Sequence, residues 1–209
     1  MVYIVSILLF LSSCNNDLDI TSSDSFEEND TTVVRILYVG NSLTYTNNLP
    51  EIVADIAASD SVKIRYYDLS NPNYSIEDHL NEGLVQKEIQ SGKYDFVIAQ
   101  QGPSALYESQ LILIRDAKKL ASLCSATVKT KFALMTVWPT AERLGDLDDV
   151  IYSYKNAADS SHAILCPAGL AWKIGWQMDE TLPFYGRDNF HPSFTGSVLA
   201  ALTVYGALF

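Results

Sequence analysis

The sequence predicts a three-layer α/β/α domain built on a mainly parallel five-stranded sheet. Three observations carry that expectation. Segments of strand character alternate with segments of helical periodicity five times between residues 33 and 209. Several strand segments, Phe96-Val97-Ile98-Ala99 most plainly, are continuous apolar runs, as strands covered on both faces are. The length, 209 residues with 48% hydrophobic and 19% charged, suits one domain with one sizeable core.

Taken in order, Val33 to Val39 is a run of β-forming residues stopped by Gly40. Residues 49–58 carry apolar side chains at helical spacing, and Pro50 and Glu51 suit a first turn. Residues 62–69 alternate as a strand does, and Asn71-Pro72-Asn73-Tyr74 is a turn. Residues 75–90 read as one helix, capped by Ser75, with Ile76, Leu80, Leu84 and Ile89 as its apolar stripe. The strand at 96–99 closes at Gln100-Gln101-Gly102-Pro103-Ser104. A helix over 108–125 follows, then a buried strand over 131–138 that Pro139 stops. Residues 150–161 are helical, 163–167 form the fifth strand, and 168–174 begin another helix. A polar loop, Asp188-Asn189-Phe190-His191-Pro192, leads into an apolar helix over 193–208.

Residues 1–11 are almost continuously apolar, at the length of a signal-peptide core and too short for a mature bilayer span. The run ends in Leu11-Ser12-Ser13-Cys14. This resembles a bacterial lipobox, which implies that residues 1–14 are a lipoprotein signal and that Cys14 is lipidated. The protein is then expected to be exported, in the periplasm or at the cell surface. Its only membrane contact would be an N-terminal lipid anchor. Residues 15–32, rich in Asn, Asp, Ser, Thr and Glu, read as a flexible acidic linker, because they bury too little to offset their ordering entropy. The domain proper is therefore 33–209. A net charge of −11 and a pI near 4.5 argue against a nucleic-acid partner. Cys124 and Cys166 fall on an apolar helix face and in a strand and read as buried free thiols, although an exported protein has the option of pairing them. No CxxC or His/Cys cluster points to a metal, and no cofactor is expected.

In a parallel sheet the C-terminal strand ends share one edge. That edge collects Gly40-Asn41-Ser42, residues 71–75 and 100–104, Trp138-Pro139 and residues 167–169, and the 188–191 loop is placed to close over it. Ser42 reads either as the N-cap of the next helix or as a nucleophile lifted out of the sheet. A nucleophilic serine needs a base, and the chain has three histidines. His162, at a helix end, is expected at the surface. His79, inside a helix, reads as a packing or hydrogen-bonding residue and as the second candidate base. His191 is best placed, because Asp188 three residues earlier can hold one ring nitrogen and leave the other for the serine. The alternative is that Asp188 and His191 are plain loop and cap residues. Trp138, Tyr45 and Tyr74 lie near the expected cleft as sugar-stacking candidates or as core.

Gly40-Asn41-Ser42-Leu43-Thr44 resembles the first block of the SGNH (GDSL-like) hydrolases, with Asn where that family usually has Asp. Asp188-Asn189-Phe190-His191-Pro192 resembles their last block, and the order along the chain agrees. The resemblance covers roughly residues 33–209 and implies the flavodoxin-like SGNH arrangement of the sheet. It also implies a Ser42-His191-Asp188 serine esterase. The middle blocks depart from the family. No glycine follows the second strand, and Gly102-Pro103-Ser104 stands where the family has Gly-x-Asn. The stretch Gln101-Gly102-x-Ser104 is instead similar to the acetylxylan and sialate O-acetylesterase-like branch. By that resemblance the oxyanion and binding residues are expected at Ser75, Gln101 and Ser104, with Gln101 the better donor. The implied substrate is a small-molecule or polysaccharide ester, with O-acetyl groups on carbohydrate the expected class. The altered middle blocks motivate a second expectation, a catalytically silent lipoprotein that keeps the fold for carbohydrate binding or scaffolding.

Overall fold

The computed structural model describes residues 30–209, so Cys14, the leader and the acidic stretch up to residue 29 lie outside the described residues. Five strands form one sheet in the order β2-β1-β3-β4-β5. They are β1 (Val33–Val39), β2 (Lys63–Asp68), β3 (Phe96–Ala99), β4 (Lys131–Met135) and β5 (Ile164–Cys166), and every pairing is parallel. Burial follows position. The four residues of β3 are all buried, as are the last four of β4. Edge strand β2 alternates between exposed and half-buried residues, which is why its sequence alternates while those of β3 and β4 do not.

The chain runs outward from β1 to β2 and then crosses back to β3 beside β1. The reversal opens a crevice between the C-terminal ends of β1 and β3, where open α/β sheets bind ligands. Two helices in the first crossover, α1 (Ser42–Tyr45) and α2 (Leu49–Ser59), are joined by a 3-10 turn. α2 packs against the last helix, α8 (Phe194–Leu208), on one side of the sheet. On the other side α5 (Tyr107–Ser125) lies along α6 (Leu147–Ser161).

Residues 75–90 depart from the single helix expected. They form α3 (Ile76–Glu82) and α4 (Leu84–Gln90), separated by Gly83 in the left-handed region at φ 85°. The Gly83 N–H closes α3 on the His79 carbonyl, as a glycine C-cap does. β4 also stops earlier than expected, at Met135, and residues 136–138 continue as buried irregular chain.

That buried chain carries the loop that ends at Pro192. Trp138 is fully buried and stacks on Trp172 of α7 (Ala168–Met178), with ring centroids 3.6 Å apart and planes 11° from parallel. Trp138 is therefore core, not a sugar platform. Its Nε1–H donates to the Phe190 carbonyl at 3.1 Å, and Trp172 Nε1–H donates to the Gly196 carbonyl at 3.1 Å. Gly196 has no room for a side chain, since a Cβ there would sit 2.3 Å from the Phe184 oxygen and 2.5 Å from the Trp172 ring. The stacked pair thus fixes both the loop and the start of α8.

Trp172→Ala is expected to lower the unfolding free energy by about 3–5 kcal/mol, the usual cost of emptying a buried aromatic site. Urea unfolding followed by far-UV circular dichroism measures it. A loss below about 1 kcal/mol would show that the stack does not hold the loop.

Candidate active site

The turn after β1 is held from several directions. The Gly40 carbonyl accepts from the Asn71 N–H at 3.1 Å and from His79 Nε2 at 2.7 Å. A Cβ at Gly40 would sit 2.5 Å from Thr44 Oγ1 and 2.7 Å from Gln100 Nε2, so only glycine lets these groups close on the turn. Asn41, not Ser42, is the N-cap of α1: its Oδ1 accepts from the Leu43 N–H at 3.1 Å. The same oxygen accepts from Gln100 Nε2 at 2.9 Å. Asn41 Nδ2 donates to the Tyr74 carbonyl at 2.9 Å, a bond that an aspartate, having acceptors only, would not make. This accounts for asparagine where the resembling family has Asp. The Thr44 and Tyr45 N–H groups both go to the Asn41 carbonyl. Ser42 is left half-buried in the first position of α1, and its N–H has no acceptor among the described residues.

The second half of the site comes from the far end of the chain. Asp188 Oδ2 meets His191 Nδ1 at 2.5 Å. Asp188 Oδ1 accepts the N–H groups of Phe190 at 3.1 Å and of His191 at 3.0 Å. The His191 bond first, then the backbone donors, hold the Asp188 carboxyl below the usual carboxylate range. With Nδ1 on the carboxylate, Nε2 is the nitrogen that faces away. Asn189 closes the turn in the left-handed region, and the Gly186 N–H donates to the His191 carbonyl at 2.7 Å.

Two observations tie this loop to the segment that begins with Ser42. Asn47, just beyond α1, donates from Nδ2 to the Pro192 carbonyl and to Ser197 Oγ, each at 3.0 Å. Phe190, next to His191, lines the same cleft as Ser42. No hydrogen bond joins Ser42 to His191 in this structure. Such bonds in unliganded sites are often long and tighten only around substrate.

The loop after β3 forms the third wall. Gln101 is buried, and its main chain is clasped by Tyr154, whose hydroxyl accepts from the Gln101 N–H at 3.0 Å and donates to the Gln101 carbonyl at 2.6 Å. The Ile76 N–H donates to Gln101 Oε1 at 3.3 Å, which turns Nε2 towards Ser104 Oγ, 3.0 Å away. The Ser104 hydroxyl donates its own hydrogen bond to the Gly102 carbonyl at 3.2 Å. Ser104 therefore orients Gln101, and one Nε2 hydrogen of Gln101 is left without an acceptor among the described residues.

Ser75 differs from the oxyanion role expected of it. Its N–H and its hydroxyl both donate to Asp78 Oδ2, at 2.8 and 2.6 Å, in a capping box that starts α3. Both donors are committed to the helix end, and the neighbouring Ile76 N–H is committed to Gln101. The Ser75-x-x-Asp78 spacing already spelled that box.

The cleft has a volume of about 440 Å³ and is lined by Asn41, Ser42, Tyr74, Gln101 and Phe190 among others. A second cavity of about 310 Å³, bounded by Leu106, Pro139 and Arg143, shares Pro103, Ser109 and Phe190 with it. A larger cavity of about 610 Å³ lies beside the N-terminal ends of β4 and β5, and no expected site residue lines it. His79 is buried on the Gly40 carbonyl, as a hydrogen-bonding residue, and His162 caps α6 at the surface. Tyr74 lines the cleft, whereas Tyr45 is exposed and does not. Cys124 and Cys166 are free and buried, and burial pushes both thiols up to about 12. Among the described residues no group of three His, Cys, Asp or Glu side chains is placed to hold a metal ion. Gln100, Asn47 and Tyr154 are the members that sequence reasoning missed. Tandem Gln100-Gln101 at a strand end was the one available signal.

No family model matches the sequence, and no curated protein does. Solved structures do match. A protein of Slackia heliotrinireducens described as a candidate SGNH hydrolase is 24% identical, with a TM-score of 0.70 over 85% of this chain and 100% of its own. A lipase/acylhydrolase of Enterococcus faecalis is 15% identical, with a TM-score of 0.68 over 83% of this chain and 94% of its own. A variant of an acetyl xylan esterase from Geobacillus stearothermophilus is 16% identical, with a TM-score of 0.66 over 84% of this chain and 94% of its own. The chain has the fold of the SGNH hydrolases.

Asp188 is expected to titrate below the ordinary aspartate value of about 3.9. Its contribution to stability is then complete above about 3.9 and is lost as pH falls through the lower folded value. The contribution is small, because the carboxylate is half exposed. Carboxyl-carbon NMR of wild type and Asp188→Asn checks this. A titration at or above about 3.9 would show that the His191 bond does not hold the carboxylate.

Proposed function

We propose that this protein is a serine esterase and that O-acetylated carbohydrate is its substrate class. The observation that carries the reading is the Asp188–His191 pair, tied through Asn47 to the segment that begins with Ser42. In the reaction Ser42 Oγ attacks the ester carbonyl carbon while His191 Nε2 takes the hydroxyl proton. Asp188 holds the tautomer and stabilises the imidazolium that forms. Negative charge gathers on the former carbonyl oxygen, and the two donors without acceptors, Ser42 N–H and Gln101 Nε2–H, receive it. The C–O bond to the alcohol breaks as His191 returns the proton to the leaving oxygen. Water, deprotonated by His191, attacks the acyl-Ser42 ester, releases the carboxylic acid and restores Ser42. No step calls for a metal or an organic cofactor.

Three features support acetyl carbohydrate. The cleft lining is largely polar and neutral, and the one carboxylate in it, Glu77, is paired with Arg115 at 2.6 Å. Tyr74 and Phe190 offer ring faces there for a sugar. The Gln101-Gly102-x-Ser104 stretch, with Gln101 buried and aimed by Ser104, resembles the acetylesterase branch. The similarity in fold to an acetyl xylan esterase points the same way.

A fluorophosphonate probe followed by peptide mass mapping is expected to label Ser42. Gln101→Ala is expected to lower kcat on a small acetyl ester by about 10²–10³-fold, the usual cost of one oxyanion donor. Native protein that takes no label at Ser42, beside a control hydrolase that does, would leave the fold as a silent binding module. As to location, we read Cys14 as the lipid attachment point of an exported protein. Cys14→Ala is expected to move the protein from the membrane to the soluble fraction, and continued membrane association would refute the anchor.

A further inference from the structure

His79 is a buried titratable group next to the Ser42 turn that this reaction leaves unused. It lies on α3, is 2% exposed, and its Nε2 is 2.7 Å from the Gly40 carbonyl oxygen. A carbonyl only accepts, so Nε2 carries the hydrogen and donates it. Burial lowers the imidazole pKa, in keeping with a neutral ring. The same oxygen takes the Asn71 N–H at 3.1 Å, so both of its lone pairs are filled from the segment that leads from β2 into α3. The plane of the Gly40–Asn41 peptide is thereby fixed. That plane sets the direction in which Asn41 and then Ser42 leave the strand. A second tie comes from the same segment, Asn41 Nδ2 to the Tyr74 carbonyl at 2.9 Å. The Tyr74 ring in turn packs on the His79 ring with centroids 5.0 Å apart.

We propose that His79 is a positioning residue for Ser42: through the Gly40 carbonyl it aims both the nucleophilic hydroxyl and the Ser42 N–H. The proposal rests on the esterase reading of the site. His79 touches no reacting atom and lines no part of the cleft. Its effect therefore falls on kcat and not on KM, because the aim of nucleophile and oxyanion donor matters most in the transition state.

The test compares wild type, His79→Leu, His79→Gln and His79→Asn on a small acetyl ester, with urea unfolding of each. Glutamine places an amide N–H where Nε2 was, and asparagine is too short to do so. His79→Leu and His79→Asn are expected to lose about 100-fold in kcat, the scale of an ångström-sized misplacement, with KM changed less than about threefold. His79→Gln is expected to keep kcat within about tenfold of wild type. Should the leucine variant not fold, the Gln/Asn comparison decides alone. Wild-type turnover in the leucine or asparagine variant, or a glutamine variant as slow as the asparagine one at equal stability, would overturn the proposal. If wild-type Ser42 takes the fluorophosphonate label, such a result removes only the role of His79. If wild type takes no label and hydrolyses no ester, the esterase reading fails and this role falls with it.

Discussion

The structure of the site depends on one oxygen, the carbonyl of Gly40. It follows the last residue of β1, points to the β2 side of that strand, and accepts two hydrogen bonds from the segment that follows β2. Gln100, from the end of β3, closes on the same turn and bonds Asn41 and Thr44, each at 2.9 Å. Parallel pairing of β1 with both β2 and β3 is what brings these three segments to one place. A side chain at residue 40 would push Gln100 and Thr44 apart and undo the arrangement. The turn is thus a packing solution of the sheet edge, and an uncommitted Ser42 N–H is its chemical by-product.

The other half of the site is held by different physics. The Asp188–His191 turn is largely exposed, and its internal hydrogen bonds would not by themselves locate it on the sheet. It is located by buried aromatic surface underneath. The Trp138–Trp172 stack sits below it, and single hydrogen bonds from Trp138 to Phe190 and from Asn47 to Pro192 transmit that position upward. A rigid apolar platform therefore carries a polar and accessible pair, as the proposed role of His191 as a base requires.

Much of this was legible in the sequence, for identifiable reasons. Continuous apolar runs marked β3 and β4 because both strands are covered on two faces. Gly40-Asn41-Ser42 and Asp188-x-x-His191 stood out because a sharp turn and a short carboxylate–imidazole loop each need particular residue types. What stayed hidden was how donors are shared out. Ser75 looked free to serve the cleft, but a local capping box outcompetes it. Trp138 looked like a cleft aromatic because it closes the expected strand over 131–138, yet β4 ends at Met135 and the ring turns inward onto Trp172. The helix over 75–90 broke at Gly83 because a left-handed glycine cap outweighs a continuing apolar stripe. Asn47 carries no local pattern, since its partners lie more than a hundred residues away, and the tandem glutamines at the end of β3 do not reveal that Gln100 bonds the turn after β1.

The central claim is that the clamped turn presents Ser42 as the attacking group and that an ester passes through covalent attachment to it. Rapid mixing with an acetyl ester, acid quench and peptide mass mapping tests that claim most directly. The account predicts one acetyl group on the Ser42 peptide, formed within the first turnover and lost at the rate of product release. Steady hydrolysis with no acetyl on Ser42, or with acetyl on another residue, would contradict it.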